Sequence, residues 1–246
     1  MKTGQVYAVF GATGGIGSAL CRRLAGEGAT VIAIARDRAK LQEQLAGIPV
    51  VESIIDPLRS DEIESCLKDA VQRHGSLHGI ANCIGSLLLK PAHITTDEEW
   101  NSVLTVNLTT SFHIVSAAVR TLSPPGGSIV LVSSAAAQVG LANHEAIAAA
   151  KAGVIGLCLA AAASYAPRGI RVNCVSPGLT RTPLTARITG SEASLKATTA
   201  MHALGRIGEA AEVASGIAWL LDPEQSWVTG QVLGIDGGLA RIRPKG

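Results

Sequence analysis

Seven short apolar runs punctuate this chain, at residues 6–10, 30–35, 50–54, 79–82, 128–132, 170–175 and 231–235. Each is nearly continuous rather than alternating, the pattern of a strand buried on both faces of a parallel sheet. The stretches between them are longer and helical in character. Strands alternating with helices imply an α/β fold with a doubly wound parallel sheet.

Helix ends are marked as well. Ser60 stands before Asp61-Glu62-Ile63 and Thr96 before Asp97-Glu98-Glu99, each a hydroxyl N-cap followed by acids in the first turn. Gly75, Gly126-Gly127 and Gly169 mark helix ends or turns. The Ala-rich stretch at 146–166 reads as a helix, Ala being the strongest helix former. It is apolar nearly all round, apart from His144, Glu145, Lys151 and Ser164, so the sheet and a further surface must cover it. Residues 179–204 are rich in Thr, Ser, Ala and Gly and show no firm pattern.

The 246 residues, 47% apolar and 16% charged, suffice for one core, and no change of composition marks a linker, so one domain over 1–246 is expected. The net charge of +2 comes from Lys and Arg scattered without a basic run, which argues against nucleic acid or a membrane surface as partner. Five Cys, at 21, 66, 83, 158 and 174, lie singly in apolar segments, and His74, His78, His93, His113 and His202 show no ligand spacing. Reduced thiols and no metal are expected. Residues 1–5 lead into the first strand without the make-up of a signal peptide, and no apolar run is long and uninterrupted enough to span a bilayer. These features point to a soluble cytoplasmic protein.

Gly11-Ala12-Thr13-Gly14-Gly15-Ile16-Gly17 follows the first strand and opens a helix. Glycines there let the backbone approach a pyrophosphate, and a helix N-terminus offers free N–H groups to its charge. Gly11, Thr13, Gly15, Ile16 and Gly17 are therefore candidate cofactor-binding residues. At the end of the second strand Ala35 leaves no carboxylate beside an adenosine ribose, and Arg36 supplies a cation suited to a 2′-phosphate, unless it is a solvated residue at a helix start. NADP(H) is favoured over NAD(H). Asn82-Cys83-Ile84-Gly85 ends the fourth strand, with Asn82 able to tie the sheet through its amide and Gly85 to let the backbone pass close to a cofactor.

Further along stand Asn107, Ser134 and Lys151, then Ser176-Pro177-Gly178-Leu179-Thr180-Arg181-Thr182. In that order, and over almost the whole chain, these motifs resemble the short-chain dehydrogenase/reductase family. The resemblance implies a single Rossmann-type domain, a nicotinamide cofactor, and hydride transfer between that cofactor and a carbonyl or alcohol. It implies that Pro177, Gly178, Thr180 and Thr182 hold the nicotinamide side, with residues 179–204 as a lid over substrate. Lys151 would hold the nicotinamide ribose, Ser134 the substrate oxygen, and Asn107 a water of the proton relay. Asp56 aligns with an acid that binds the adenine amino group, although an Asp before Pro57 is equally a turn residue. Phe10 stands where the family usually has Thr, and Gly14 where many NADP-dependent members carry a basic residue. Because family subunits often pair through the helix that carries the lysine, a homodimer or homotetramer is expected.

One residue departs from the pattern. The family's proton donor is a Tyr four residues before the Lys and thirteen after the Ser, and both counts land on Ile147. Ile147 and Lys151 share a helical face, so the Ile side chain projects where the phenol would stand. Ile cannot donate a proton. Loss of one general acid costs roughly 10²–10⁴ in rate, whereas positioning of donor and carbonyl can supply about 7–11 kcal/mol without it. A slow reductase can survive, with a proton from water held by Ser134 and Lys151 or from His144, which lies three residues before Ile147 and seven before Lys151.

An imidazole is a competent acid–base group, yet seven residues of helix is roughly 10 Å of rise. Contact with substrate and a plain helix-start role are thus alternatives for His144. Two functions lead: an NADP(H)-dependent oxidoreductase with a non-standard proton path, or a catalytically silent NADP(H)-binding protein that acts through its oligomer or a partner; a dehydration or isomerisation assisted by His144 is a third, which nothing in the chain specifies. Leu184, Ile188, Leu195, Met201 and Leu204, with Arg181, Arg187 and Lys196, suggest a mixed apolar and polar pocket for a small carbonyl or alcohol substrate.

Overall fold

The structure, a computed structural model, describes residues 3–122 and 125–243. The expected domain over 1–246 therefore includes seven residues that lie outside the described ones. All seven apolar runs are strands: β1 (Val6–Phe10), β2 (Thr30–Ala35), β3 (Val51–Ile54), β4 (Gly79–Asn82), β5 (Gly127–Val132), β6 (Ile170–Pro177) and, after the two-residue strands β7 (Thr180–Arg181) and β8 (Gly208–Glu209), β9 (Val232–Ile235). Seven pair in the order β3-β2-β1-β4-β5-β6-β9, and every pairing is parallel. The order reverses between β1 and β4, which opens a crevice at their carboxyl ends.

Nine α-helices are described: α1 (Gly15–Gly26), α2 (Arg38–Gln44), α3 (Ser60–His74), α4 (Asp97–Leu104), α5 (Thr110–Thr121), α6 (Glu145–Tyr165), α7 (Ala186–Thr189), α8 (Glu192–Met201) and α9 (Ala210–Leu221). Alternate residues of β1 separate two cores. Val6, Ala8 and Phe10 join Ile63 and Leu67 of α3, Ile114 of α5 and Val154 of α6. Tyr7 and Val9 join Leu20 and Leu24 of α1, Leu41 of α2 and Ile217 of α9 on the other face. Phe10, where the resemblance leads one to look for Thr, is spent on this packing and is fully buried.

Three expectations need correction. Ser60 is not a cap: Arg59 occupies that position, and Ser60 is the first helical residue of α3. The turn before it closes differently, with Arg59 N–H donating to Asp56 O and the Glu62 carboxylate accepting from Asp56 N–H at 2.8 Å. Residues 179–204 are not patternless but fold as β7, a 3₁₀ turn at Pro183–Thr185, α7 and α8. Hydroxyls rather than apolar periodicity set these elements, Thr182 with Thr185 in a reciprocal cap and Ser191 accepting from Ser194 N–H. Finally, Asp97–Thr121 and Glu145–Arg168 are each long and apolar enough to cross a bilayer, because α4 and α5 run on without a break. Half of the first apolar window (50%) and 44% of the second are buried within the fold, where α5 and α6 lie against the sheet.

Thr96 does form a capping box with Glu99. Thr96→Ala is therefore expected to cost about 1 kcal/mol and Ser60→Ala less than about 0.5 kcal/mol, read as urea midpoints at unchanged slope. Equal losses from the two substitutions would contradict the assignment of the caps.

Candidate active site

Two cavities open at the carboxyl ends of the central strands. The first, of about 290 Å³, is lined by Gly11, Thr13, Arg36, Ile55, Cys83 and Gly85 among others. Gly11 takes a φ of +77°, and a Cβ there would lie 2.9 Å from the carbonyl carbon of Cys83. A Cβ on Gly17 would fall 2.2 Å from Gly11 O. The turn packs too closely against the end of β4 at Gly11, and on itself at Gly17, for side chains at these two positions, which leaves its backbone bare. Gly14 gives α1 no side-chain cap, so no side chain competes for the first-turn N–H groups. A pyrophosphate fits this cradle on charge as well as on space. Arg36 is exposed on the cavity rim, consistent with reach toward a phosphate.

Asp56 does not line this cavity, although Ile55 and Pro57 do. Its Oδ1 accepts Leu58 N–H at 3.0 Å, the turn role that was the alternative for it. Asn82, 1% exposed, donates from Nδ2 to Ser111 Oγ at 3.0 Å and accepts Ile84 N–H on Oδ1 at 3.0 Å, which fixes the end of β4. At Gly85 a Cβ would stand 3.2 Å from Asn107 Oδ1 and 3.5 Å from Lys151 Nζ. Glycine thus lets the chain pass between the two groups.

Asn107 sits in a π-helical turn, Thr105–Thr109, between α4 and α5. The widened turn leaves Asn107 O to accept Ser111 Oγ–H at 2.7 Å. Its side chain clasps Ser86, accepting the backbone N–H at 3.1 Å and donating to Oγ at 2.9 Å. Lys151 is 6% exposed, and its Nζ donates to Val132 O at 2.9 Å. Burial pulls its ammonium down to about 8 from 10.5. Cys83 and Cys174 lie near, but burial pushes both thiols up to about 12, so neither offers a counter-charge at neutral pH. Ser133, the neighbour of Ser134, holds the lysine's helix by donating to Lys151 O at 2.8 Å.

The second cavity, of about 510 Å³, has Ser134, His144, Ile147, Pro177 and Gly178 in its wall and α8 of the lid across it. Ser134 Oγ accepts Ala136 N–H at 3.2 Å and keeps its own hydrogen for a ligand oxygen. Ile147 is buried against Val103, Ala146 and Ala150, with Leu87, Leu88 and Leu104 beside it. His144 is the N-cap of α6 rather than part of the helix, at φ −110° and ψ 11°. Its Nδ1 lies 2.8 Å from Ala142 O, and since a carbonyl only accepts, Nε2 carries the lone pair of the neutral ring. Asn143 before it adopts φ +63°, the one non-Gly residue so described, and its carbonyl accepts Lys90 N–H at 2.8 Å.

The segment after β6 lines the second cavity with Pro177, Gly178, Leu179 and Thr185 and also touches the glycine turn. Thr182 packs so closely on the phosphate turn that a Cβ on Gly15 would lie 2.8 Å from its Cγ2. Thr185 Oγ1 donates to Thr180 O at 2.5 Å and accepts Thr182 N–H at 3.1 Å. At the other end of the lid His202, 2% exposed, has Nδ1 2.8 Å from Thr198 O, while Nε2 accepts Leu179 N–H at 3.2 Å. Sequence reading missed Ser86, Ser133, Thr185 and His202. The Thr182-x-x-Thr185 spacing is a legible capping signal; nothing local marks the other three.

A glycine cradle at the switch point of a parallel sheet, with a buried lysine behind it, defines a dinucleotide-binding α/β protein. Residues 11–240 match the family model described as Enoyl-(Acyl carrier protein) reductase. The chain is 37% identical over 246 residues to 3-oxoacyl-[acyl-carrier-protein] reductase of Thermotoga maritima, across 96% of this chain and 98% of that protein. It is 35% identical over 246 residues to (3R)-3-hydroxyacyl-CoA dehydrogenase of Homo sapiens, across 94% of each. Two solved structures superpose with a TM-score of 0.91 at 31% identity over 98% of this chain: a short-chain type dehydrogenase/reductase from Mycobacterium ulcerans, 92% covered, and a variant of actinorhodin polyketide ketoreductase with NADPH, 100% covered. The chain belongs to the short-chain dehydrogenase/reductase family.

Because the Lys151 ammonium titrates lower in the folded state (about 8) than unfolded (10.5), its charge opposes folding at pH below about 8. That opposition fades as pH rises from about 8 to 10.5. Lys151→Met is expected to exceed the parent in stability at neutral pH by on the order of 2 kcal/mol, after the lost bond to Val132 O is set against it. The advantage should vanish across that window, and the difference between the two proteins cancels the thiols. Denaturation of both across the range checks it, and a pH-independent difference would contradict a buried ammonium.

Proposed function

We propose that this protein is an NADP(H)-dependent oxidoreductase acting on the carbonyl or alcohol of a small molecule, by a proton path that bypasses a phenol. The observation that carries the reading is the retention of Lys151 and Asn107 beside Gly85 of the first cavity and of Ser134 in the second, whose wall also holds Ile147. Relatives named as reductases, and one solved with NADPH, support it.

The cofactor supplies the hydride when bound. In this reading the turn from Gly11 to Gly17 and the start of α1 hold its pyrophosphate. Arg36 pairs with the 2′-phosphate, Lys151 holds the ribose, and Thr180 and Thr182 hold the carboxamide. Ser134 donates to the substrate oxygen. The proton comes from Lys151, whose ammonium at about 8 is an acid matched to neutral pH, through water beside Ser134. His144, on the same cavity wall, is the second source.

One observation favours a silent cofactor-binding member instead. Ile147 is sealed into an apolar cluster that disfavours a water in the place of the phenol. Either protein would form a homodimer or homotetramer through α6, whose outer face exposes Ala149, Ala152, Gly156, Leu159 and Ala163, with Phe112 of α5 adjacent in the same layer. Five unpaired thiols suit the reducing cytoplasm.

Fluorescence titration should show NADPH binding more tightly than NADH. Following NADPH oxidation over a carbonyl panel should show slow turnover by the wild type, loss in Lys151→Ala, and a gain of about 10²-fold or more in Ile147→Tyr. Since the donor must be protonated, kcat/KM for reduction falls as pH rises through about 8. A further loss in His144→Ala would assign part of the path to the imidazole. If NADPH binds and only Ile147→Tyr reduces any carbonyl, the silent reading replaces this one.

A further inference from the structure

We infer that the substrate is an uncharged, predominantly hydrocarbon carbonyl compound with no ionised group inside the cavity, an inference that rests on reading the 510 Å³ cavity as the carbonyl site. No Asp, Glu, Lys or Arg lines it among the described residues. Leu87, Leu89, Leu141 and Ile147 form one wall, and Ile188 and Met201 of the lid face the space from the other side.

The cations that suggested a mixed pocket, Arg181, Arg187 and Lys196, are exposed and absent from the wall, and Arg181 pairs with Glu209 at 3.3 Å. Two of the three hydroxyls that the lid brings to the wall are engaged with backbone, Thr185 with Thr180 O and Thr198 with Ser194 O at 2.8 Å, and the third, on exposed Ser194, carries no charge. His144, the one titratable side chain of the wall, presents a lone pair at Nε2 in its neutral form, which repels an anion. With that ring neutral, a carboxylate or phosphate drawn inside would lose its water without gaining a cation, and an unpaired buried charge is strongly disfavoured. Ser134 supplies a donor at the inner end for one neutral oxygen. Ile147 adds a hydrocarbon side chain to the same cavity as that donor, which suits an alkyl group beside the carbonyl.

The test is a matched pair differing only at the far end, 2-undecanone and 10-oxoundecanoate, titrated calorimetrically into protein saturated with NADP⁺, where no hydride is available. The neutral ketone is expected to bind at least about tenfold more tightly. Ile188→Arg, which places a cation in the lid wall, should shift the ratio about tenfold toward the carboxylate, and Leu141→Arg repeats the test outside the lid. Equal or tighter binding of the carboxylate by the wild type, binding of neither compound, or no shift in both variants overturns the inference. If NADP⁺ itself fails to bind, the functional reading above falls, and the same pair titrated into cofactor-free protein still decides what the cavity admits.

Discussion

Parallel pairing of seven strands is the constraint on which everything else rests. Each strand must return across a face of the sheet before the next begins, so all carboxyl ends gather on one rim. The glycine turn after β1, Arg36 after β2, Cys83 to Gly85 after β4, Ser134 after β5 and Pro177 at the end of β6 are brought together by that rule and not by any direct attraction. The reversal between β1 and β4 then separates the crossovers enough to leave room between them.

Within that rim the chemistry is governed by one buried charge. Lys151 is held by Val132 O, by a helix pinned through Ser133, and by the gap that Gly85 leaves beside Asn107. Among the described residues no carboxylate answers it, and the thiols of Cys83 and Cys174 stay neutral. Such a site is costly to keep in the absence of an anionic or hydroxyl-rich ligand. Ile147 adds to this, because one helical turn away it offers hydrocarbon and no polar partner. Polar groups and an apolar wall therefore share one helical face, with Lys151 and Ile147 a turn apart.

The sheet was legible because a doubly buried strand needs apolar residues at nearly every position, and turn glycines separate such runs cleanly. The cofactor cradle was legible because Gly11 and Gly17 answer to local backbone geometry. The lid was not: α7 spans only Ala186–Thr189, and its shape depends on Thr182, Thr185 and Ser191 hydroxyls, which leave no periodic trace. Ser60 misled because a hydroxyl before acids has the same composition one residue inside a helix as at its cap. His144 kept its place beside Ser134 and Ile147 but lost its helix, since the chain turns through Asn143 at positive φ just before α6 starts. The cavity wall was beyond reach, as Leu87, Leu141, Ile188 and Leu239 come from separate parts of the chain.

The lid is tied at both ends to one short segment, by Thr185 to Thr180 and by His202 to Leu179. Residues between the ties, in α7 and α8, hold nothing of the phosphate turn or of the buried lysine. They form a replaceable cassette: exchange of that stretch for another of similar length would redraw the wall of the second cavity while its anchorage stays as it is. In such an arrangement new cavity shapes arise by local sequence drift in one exposed handle, without renegotiating the core.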